Sequence, residues 1–347
     1  MRNVMAQEFY IRTDANSQIA TGHVMRCMSV AKALEKRNCH CIFVMADHEG
    51  EALLKGQYPV ICLDSRWNRL EDETEKMEAL IQKRRVEKLL IDSYFVTENY
   101  LKRINSLTKT FYMDDLDKFL YPVDTVINYS IYADSFHYEQ RYRQAGMNTR
   151  FLLGCEYAPL RSEFQKISYS IREQVHHILI TTGGTDHYNV AGRLAERIVK
   201  SEELKEMTVH IVAGAYHKNK EQLKELSSSF KRIKVHENVT EMAKLMAFCD
   251  IAITAGGTTT YELCACKVPS IAIALAENQL NSVKRFAEEG LLLYAGDITK
   301  NETDVLETAF LYLQRLVKNR ELRQQFFLRM QNKQIKNGSE RIAEALL

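Results

Sequence analysis

The sequence predicts an α/β protein of two domains, each built on a parallel sheet. Short apolar runs typical of buried strands alternate with helix-spaced segments, and this order favours parallel β–α–β units. The chain has 347 residues, a length that suggests about two domains. The alternation stops between Phe151 and Gln174 and then restarts. We therefore expect one domain over 1–157 and a second over 158–347, whose C-terminal helices could pack back on the first.

The first half contains six predicted strands and three predicted helices in alternation. The strands are Tyr10–Thr13, His40–Ala46, Tyr58–Leu63, Glu87–Asp92, Thr110–Met113 and Asp124–Asn128. The helices are the segment that begins at His23, then Leu70–Arg85 and Thr97–Leu107. Each has apolar residues at helical spacing. This order implies a parallel sheet with helices on both faces.

The second half repeats the pattern after a connection that contains Gly154, Pro159 and the polar run Arg161–Lys166. Its predicted strands are His176–Thr182, Thr208–Ala213, Ile233–Val235, Asp250–Thr254, Pro269–Ala274 and Leu291–Ala295. Its predicted helices are Tyr188–Lys200, Asn219–Leu226, Thr240–Phe248, Thr259–Cys266, Gln279–Glu289 and the tail beyond Thr303. Two such halves facing each other would form a cleft, and domain interfaces of this kind favour ligand sites.

Composition argues against several classes of partner. The net charge is +2 and basic residues are dispersed, so nucleic-acid binding is not expected. No apolar run reaches the ~18 residues that a membrane span needs, and the first ten residues lack an apolar signal core. The eight cysteines form no CxxC pair, which is typical of a reduced, cytoplasmic protein.

His23 stands where a ligand site is expected. The polar segment Asp14–Thr21 follows the first strand, Gly22 is expected to allow a sharp bend, and His23 then opens a helix. Ligands of open α/β sheets bind at the carboxyl ends of strands, and a histidine there can act as a general base near neutral pH. The alternative is a buried histidine that caps its own helix.

Two glycine turns follow strands of the second half. They are Gly183-Gly184-Thr185-Asp186 and Gly256-Gly257-Thr258-Thr259. Glycines let a backbone approach a phosphate closely, and a helix N-terminus offers free N–H groups and partial positive charge. Neither turn has the spacing of a P-loop or of a dinucleotide fingerprint. The alternative is a pair of tight turns with capped helices.

Other polar residues lie at the same predicted sheet edges. Glu262, one helical turn after Thr258, could bind ribose hydroxyls or could be a surface residue. Asn278 could bind sugar hydroxyls or could cap a helix. Tyr94 could orient substrate or water beside His23, or could lie half-buried at the sheet rim.

Three patterns resemble metal sites only superficially. Asp115-Leu116-Asp117 has the DxD spacing of many glycosyltransferases, but no cluster with ligand spacing accompanies it. His176-His177 and Cys264-x-Cys266 fall inside strand or helix patterns and lack a second pair, so core packing is favoured for both. We therefore expect no metal site.

Taken together, these segments resemble PseG-type UDP-sugar hydrolases, including the SpsG-like proteins. The resemblance lies in IRTDANSQIATGHVMRC at the start, IDSY at Ile91–Tyr94, the pair Asp114-Asp115, GGTD at Gly183–Asp186, AGGTTTYEL at Ala255–Leu263 and ENQ at Glu277–Gln279. The segments span nearly the whole chain in the family's order. The opening departs at Asn16 and Ala20, where many members carry Ser and Gly.

The resemblance implies a fold and a reaction. The fold would be GT-B, with two Rossmann-like domains facing across a cleft, as in MurG-type glycosyltransferases. The reaction would be metal-independent hydrolysis of UDP-2,4-diacetamido-2,4,6-trideoxy-L-altropyranose to free sugar and UDP, on the route to pseudaminic acid. Water would attack the anomeric carbon with inversion. No cofactor and no macromolecular partner are implied, and we expect a monomer.

By motif position the resemblance also implies roles for residues. His23 would be the catalytic base, and Tyr94 and Asn278 would hold sugar or water. Gly257 and Thr258 would hold the diphosphate, and Glu262 the ribose. The other expected substrate contacts are Arg12, Asp14, Gly22, Arg26, Gly183, Gly184, Thr185, Asp186, Gly256, Thr259 and Gln279. Two alternatives stay open, namely a GT-B glycosyltransferase that uses a UDP-sugar donor and a nucleotide-sugar sensor without activity.

Overall fold

The computed structural model describes residues 7–19, 21–214, 217–333 and 335–347. Ala20, where the sequence departs from the resembled family, lies outside them. The chain forms two compact units. The first comprises Met1–Arg161 with Asn337–Leu347, and the second comprises Ser162–Lys336. Each unit is built on one parallel sheet, which confirms the predicted α/β class.

The sheet of the first unit has seven described strands. They are β1 Gln7–Thr13, β2 Cys39–Met45, β3 Val60–Cys62, β4 Lys88–Asp92, β5 Lys109–Met113, β6 Thr125–Asn128 and β7 Arg150–Leu153. Their spatial order is β3-β2-β1-β4-β5-β6-β7. β1 pairs in parallel with both β2 and β4. The strands β2 and β3 lie on one side of β1, and the strands from β4 onward lie on its other side. β1 and β4 therefore form the topological switch point, where their carboxyl ends are adjacent.

Helices cover both faces of this sheet. They are α1 Gly22–Glu35, α2 Thr74–Arg84, α3 Glu98–Asn105, α4 Tyr138–Gln144 and α12 Gly338–Leu346. Along β1, Phe9 and Ile11 join one core cluster with residues of α1 and α12, whereas Tyr10 joins the other with residues of α2, α3 and α4. This alternation is the period of a strand buried on both sides.

The last helix belongs to the first unit through close packing. Ile342 and Leu346 are fully buried in the cluster that contains Val24 of α1. Gly338 lies so close to Ala158 that a Cβ there would be 2.0 Å from the Ala158 carbonyl oxygen. The Ser339 hydroxyl donates to the Leu160 carbonyl at 3.0 Å.

The second unit has six described strands, β8 His177–Thr181, β9 Thr208–Ala213, β10 Ile233–Glu237, β11 Ile251–Ala255, β12 Ser270–Ala274 and β13 Leu293–Asp297. Their order is β10-β9-β8-β11-β12-β13. Its helices are α5 Val190–Lys200, α6 Lys220–Ser229, α7 Met242–Phe248, α8 Thr259–Cys266, α9 Leu280–Glu288, α10 Glu302–Lys318 and α11 Arg320–Lys333. Here β8 and β11 are the adjacent strands at the switch point.

Two elements of the first unit were missed in the sequence. The α4 segment, YEQRYRQ, is polar apart from Tyr138 and Tyr142, which lie one turn apart and are buried. The strand β7 pairs with β6 over Thr125↔Arg150 to Asn128↔Leu153, so the break predicted to begin at Phe151 starts inside a strand. Both segments are short and take their definition from tertiary packing.

The structure also bears on the predicted packing of the cysteines and of His176-His177, and on the prediction about membrane spans. All eight cysteines are free, and seven are buried as small apolar side chains, with Cys62 half-exposed. His176 is exposed and His177 half-buried, so the expectation that this pair packs in the core was wrong. Within the described residues, no helix combines the length and apolarity needed to cross a bilayer.

Candidate active site

The first unit places His23 at the adjacent carboxyl ends of β1 and β4. It is the second residue of α1 and is 7% exposed. Its Nδ1 lies 2.7 Å from Oδ1 of Asp92, the last residue of β4. The edge of the Tyr94 ring contacts the imidazole, with ring centroids 4.5 Å apart. The predicted pair His23 and Tyr94 is thus brought together, while Asp92 was not singled out from the sequence.

The contacts of Nδ1 assign the tautomer of His23. Arg26 Nη2 lies 3.1 Å from this nitrogen, and Asp92 Oδ1 lies 2.7 Å from it. A guanidinium can only donate and a carboxylate can only accept, so the two contacts require opposite protonation of Nδ1. We assign the shorter contact, to the carboxylate, as the hydrogen bond, with Nδ1–H as donor. The Nε2 lone pair is then the basic site. The hydrogen bonds that described residues make to His23 all involve Nδ1.

Asp92 is buried and ionised. Arg26 donates to it from Nε at 2.6 Å and from Nη2 at 2.5 Å. Burial opposes ionisation, but the charges and hydrogen bonds of Arg26 and His23 hold the pKa of Asp92 well below its ordinary value. A carboxylate that accepts from an imidazole in this way fixes the ring and stabilises the imidazolium that forms when Nε2 takes a proton.

Arg26 connects this pair to a second carboxylate. Its Nη1 donates to the Tyr129 hydroxyl at 2.8 Å and to Asp115 Oδ2 at 3.2 Å. The same Asp115 oxygen accepts from the Tyr94 hydroxyl at 2.9 Å. Burial, and next the Asp115 charge, raise the pKa of Tyr94, so the phenol stays protonated. Arg26 is itself 8% exposed, so it is placed to hold Asp92 and Asp115 in position and not to contact a substrate directly, as was expected of it.

Arg12 and Asp14 form a separate buried network. Arg12 donates to both oxygens of Glu73 at 2.7 and 2.8 Å and to Asp14 at 2.5 Å. Asp14 accepts from the Ala46 N–H at 2.7 Å. Arg12 is 0% exposed, so it supports Asp14 and the loop after β1 from the interior of the unit. This differs from the direct substrate contact expected of it.

Gly22 also differs from expectation. It is absent from the positive-φ glycines, and a Cβ there would meet nothing within 4 Å. The sharp bend predicted at this position therefore does not need a glycine, and the start of α1 is accessible to an incoming ligand.

Asp115 and Asp117 of the DxD pattern are already engaged. Asp115 binds Arg26 and Tyr94. Asp117 accepts from Arg141 Nη1 at 2.5 Å. The neighbouring Asp114 accepts from the buried Tyr121 hydroxyl at 2.8 Å. These acids therefore hold the first unit together.

The second unit has a pocket where its two glycine turns meet. Its volume is about 390 Å³, within the range of small-ligand sites. Its lining residues are Thr182, Gly183, Gly184, Thr185, Asp186, His187, Tyr188, Ala255, Gly257, Thr258, Thr259, Leu275, Ala276 and Gln279. The predicted glycine turns thus lie side by side at the carboxyl ends of β8 and β11.

The turn after β11 presents a helix N-terminus to this pocket. The Thr258 side chain makes no capping hydrogen bond to α8, and the Thr260 hydroxyl donates to the Gly257 carbonyl at 2.7 Å. In this first turn the N–H groups of Thr260 and Tyr261 donate to the carbonyls of Gly257 and Thr258 at 3.1 and 3.0 Å, and the N-terminus of a helix carries partial positive charge. This end of α8 can therefore accept an anion such as a phosphate.

Gln279 shapes the pocket from behind. Its Oε1 accepts from the Gly256 N–H at 3.1 Å and from the Leu275 N–H at 3.0 Å, and so joins the ends of β11 and β12. The sequence did not indicate that Gln279 would join two strand ends in this way. Asn278 is exposed, and Glu262 is half-buried on α8.

The turn after β8 depends on Gly183 and Asp186. Gly183 has φ of +81°, a conformation that favours glycine. Asp186 accepts from the N–H groups of Val190 and Ala191 at 2.9 and 3.0 Å, capping α5. Burial raises its pKa, but the nearby His217, whose Nε2 lies 3.4 Å from Oδ2, and the N–H groups of Ala191 and Val190 together lower it below the ordinary value. The Asp186 carboxylate is therefore occupied, and Gly183, Gly184 and Thr185 are the parts open to a ligand.

Several known proteins are similar to this chain. Residues 177–345 match the glycosyltransferase family 28 C-terminal domain. Spore coat polysaccharide biosynthesis protein SpsG of Bacillus subtilis is 26% identical over 303 residues, which cover 84% of this chain and 85% of that protein. The UDP-2,4-diacetamido-2,4,6-trideoxy-beta-L-altropyranose hydrolase of Campylobacter jejuni is 25% identical over 284 residues, 80% of this chain and 96% of that one.

A solved structure gives the fold. MurG of Acinetobacter baumannii superposes with a TM-score of 0.69 at 14% identity, over 98% of this chain and 99% of that one. At this identity the likeness concerns the fold alone, and it confirms the GT-B class. The resemblance predicted from the sequence is thus confirmed as similarity: the chain is similar to SpsG and to the Campylobacter jejuni hydrolase, and it has a GT-B fold.

Proposed function

We propose that this protein hydrolyses a UDP-linked 2,4-diacetamido-2,4,6-trideoxy-hexose to free sugar and UDP, in the biosynthesis of pseudaminic acid or a related nonulosonate. The observation that carries the proposal is the His23–Asp92 pair, with the His23 Nε2 free to accept a proton. The name of the Campylobacter jejuni relative supports the choice of substrate.

In the proposed reaction, His23 acts as general base. Water gives one proton to Nε2 while its oxygen bonds to the anomeric carbon. The bond from that carbon to the diphosphate oxygen breaks, and its electron pair leaves with UDP. Configuration at the anomeric carbon inverts. General-base assistance contributes about 10²–10⁴-fold to such steps, and Asp92 stabilises the imidazolium that forms.

We assign the UDP end of the substrate to the pocket of the second unit. The N-terminus of α8 and the glycine turns supply N–H groups for the leaving diphosphate. Gly257 and Thr258 would contact the diphosphate and Glu262 the ribose. Tyr94 and Asn278 would hold the sugar or the water.

Turnover of UDP-sugar without an acceptor tests this function. We expect the purified protein to release UDP from the diacetamido-trideoxy substrate alone, and to keep that activity in EDTA. In heavy-oxygen water, the label should enter the sugar and not the UDP, because carbon–oxygen cleavage is proposed. Label in the UDP would contradict the mechanism.

The second candidate is a GT-B glycosyltransferase, and the match to a glycosyltransferase family 28 domain favours it. It predicts slow turnover of UDP-sugar alone and a large acceleration by an acceptor. A sensor would instead bind the UDP-sugar and release nothing. The acceptor-free assay therefore separates all three functions.

A further inference from the structure

We propose a zinc-class metal site on the first unit, formed by His48, Glu51 and Cys62, apart from the His23–Asp92 pair. One ligand atom from each of the three side chains lies within 4.8 Å of the other two. His48 Nδ1 is 2.7 Å from Glu51 Oε2 and 3.2 Å from Cys62 Sγ. The proposal is independent of the function proposed above.

The backbone brings these ligands together from two segments. His48 follows β2, and Glu51 begins the short 3-10 helix Glu51–Leu53 after it. Cys62 is the last residue of β3, which pairs in parallel with β2 through Met45↔Cys62. The three side chains therefore share one end of two neighbouring strands, and a bound ion would tie the loop between these strands to the edge of the sheet.

The donor set selects the ion. A thiolate, an imidazole and a carboxylate are the ligands of Zn²⁺, whereas Mg²⁺ and Ca²⁺ prefer oxygen alone. Around a tetrahedral zinc the ligand atoms would stand ~3.3–3.6 Å apart, from bond lengths of about 2.0–2.3 Å. The His48–Cys62 distance of 3.2 Å is close to this, and the His48–Glu51 distance of 2.7 Å would need to open by about 0.6 Å, which exposed side chains can do by rotation. Water would fill the fourth position, because His48 and Glu51 are exposed.

The surroundings are anionic and the thiol is accessible. Cys62 is the one cysteine of the chain that is not buried. The carboxylates of Glu51, Asp64 and Asp47 lie near it, and their negative charge favours a divalent cation at this place.

Metal titration of matched variants tests the site. The probes are Zn²⁺ alone, by calorimetry, and Co²⁺ alone, by the absorption band of a cobalt–thiolate bond. The variants are Cys62→Ser and His48→Gln, and the control is His40→Gln, which alters an exposed histidine of β2 outside the cluster. We expect wild type and His40→Gln to bind one ion, and the two site variants to bind at least about 10- to 100-fold more weakly.

A second readout is independent of affinity. Iodoacetamide should alkylate Cys62 in the metal-free protein, and Zn²⁺ should protect it until a chelator is added. Three results would overturn the proposal: equal Zn²⁺ affinity in wild type and the site variants, a Co²⁺ complex without a thiolate band, or alkylation of Cys62 unaffected by Zn²⁺. Folding of each variant is checked by circular dichroism. Because His40 and His48 are exposed and Cys62 is half-exposed, we expect all three variants to fold.

Discussion

At the carboxyl end of β4, Asp92 binds three side chains at once. His23 lies 2.7 Å from one oxygen, Arg26 contacts both oxygens, and the Cys27 thiol donates to the second at 3.4 Å. A buried carboxylate is tolerated only when it is paired and hydrogen-bonded. Here the pairing also makes Nδ1 of His23 the hydrogen-bond donor and leaves Nε2 for the proposed role as base, so the same carboxylate bears on stability and on the proposed chemistry.

Asp92→Asn tests this link. We expect kcat to fall about 10²-fold or more, because an amide cannot stabilise the imidazolium, while UDP affinity stays within about twofold. The variant should also lose about 3–5 kcal/mol of unfolding free energy, because the buried Arg26 charge keeps only its longer contact to the Asp115 carboxylate. Kinetics and UDP calorimetry are compared below the melting temperature, where circular dichroism shows a folded protein. Normal turnover by folded Asp92→Asn would contradict the role of Asp92.

The sequence indicated some of these residues and not others. His23 stands out because it follows a strand and begins a helix, whereas Arg26 was expected only from the family resemblance, as a substrate contact. Asp92 was overlooked as their partner, since it is 69 positions from His23 and becomes a neighbour only because β4 lies beside β1. Strand order is a tertiary property that alternation of strands and helices does not determine.

At the scale of elements, the β11–α8 turn depends on its first glycine for packing. A Cβ at Gly256 would lie 2.4 Å from Val283 Cγ1, on a buried side chain of α9, whereas a Cβ at Gly257 would meet nothing within 4 Å. Both glycines were predicted from the same motif, yet their environments differ. Gly256 is required by α9, and Gly257 borders the pocket.

The two glycines form a matched pair of variants. Gly256→Ala should cost about 1–3 kcal/mol of unfolding free energy, as overpacking does in cores. Gly257→Ala should leave stability within about 0.5 kcal/mol but weaken UDP binding, since the added methyl group borders the proposed diphosphate site. Urea unfolding and UDP calorimetry measure these effects. Equal stability losses in both variants would refute the assignment.

Three histidines form a row across β8, β9 and β10. His177 Nδ1 is 3.2 Å from His210 Nε2, and His210 Nδ1 is 3.0 Å from His236 Nε2. Burial first, and then the charges of the neighbouring His236, His177 and Lys234, lower the pKa of His210 to about 4. These residues are far apart in the sequence, so only His177 could be noticed there.

This row predicts acid sensitivity of the second unit. The unfolded chain binds a proton at His210 near pH 6.5 and the folded one near pH 4, so unfolding becomes easier as the pH falls through this window. Between pH 7 and pH 5 we expect a loss of about 1–2 kcal/mol. Urea unfolding should show a smaller loss in His210→Leu, with the exposed His40→Gln as control. An unchanged slope in His210→Leu would contradict the prediction.

At the scale of the whole molecule, the two units present different chemistry. The first holds an imidazole–carboxylate pair, and the second holds a pocket with a helix N-terminus and two glycine turns. The alternation of strands and helices was sufficient to predict two parallel sheets. We also expected that the C-terminal helices could pack back on the first domain. Asn337–Leu347 belongs to the first unit through packing of Ile342 and Leu346 against α1, a contact that the alternation alone does not specify.

We propose that proton transfer depends on the first unit and nucleotide binding on the second. The most direct measurement is release of UDP from the UDP-sugar by His23→Ala, beside UDP affinity of the same protein and the control His40→Ala. We expect kcat of His23→Ala to fall about 10²–10⁴-fold, while its UDP affinity stays within about twofold of wild type. Wild-type turnover by His23→Ala would contradict it.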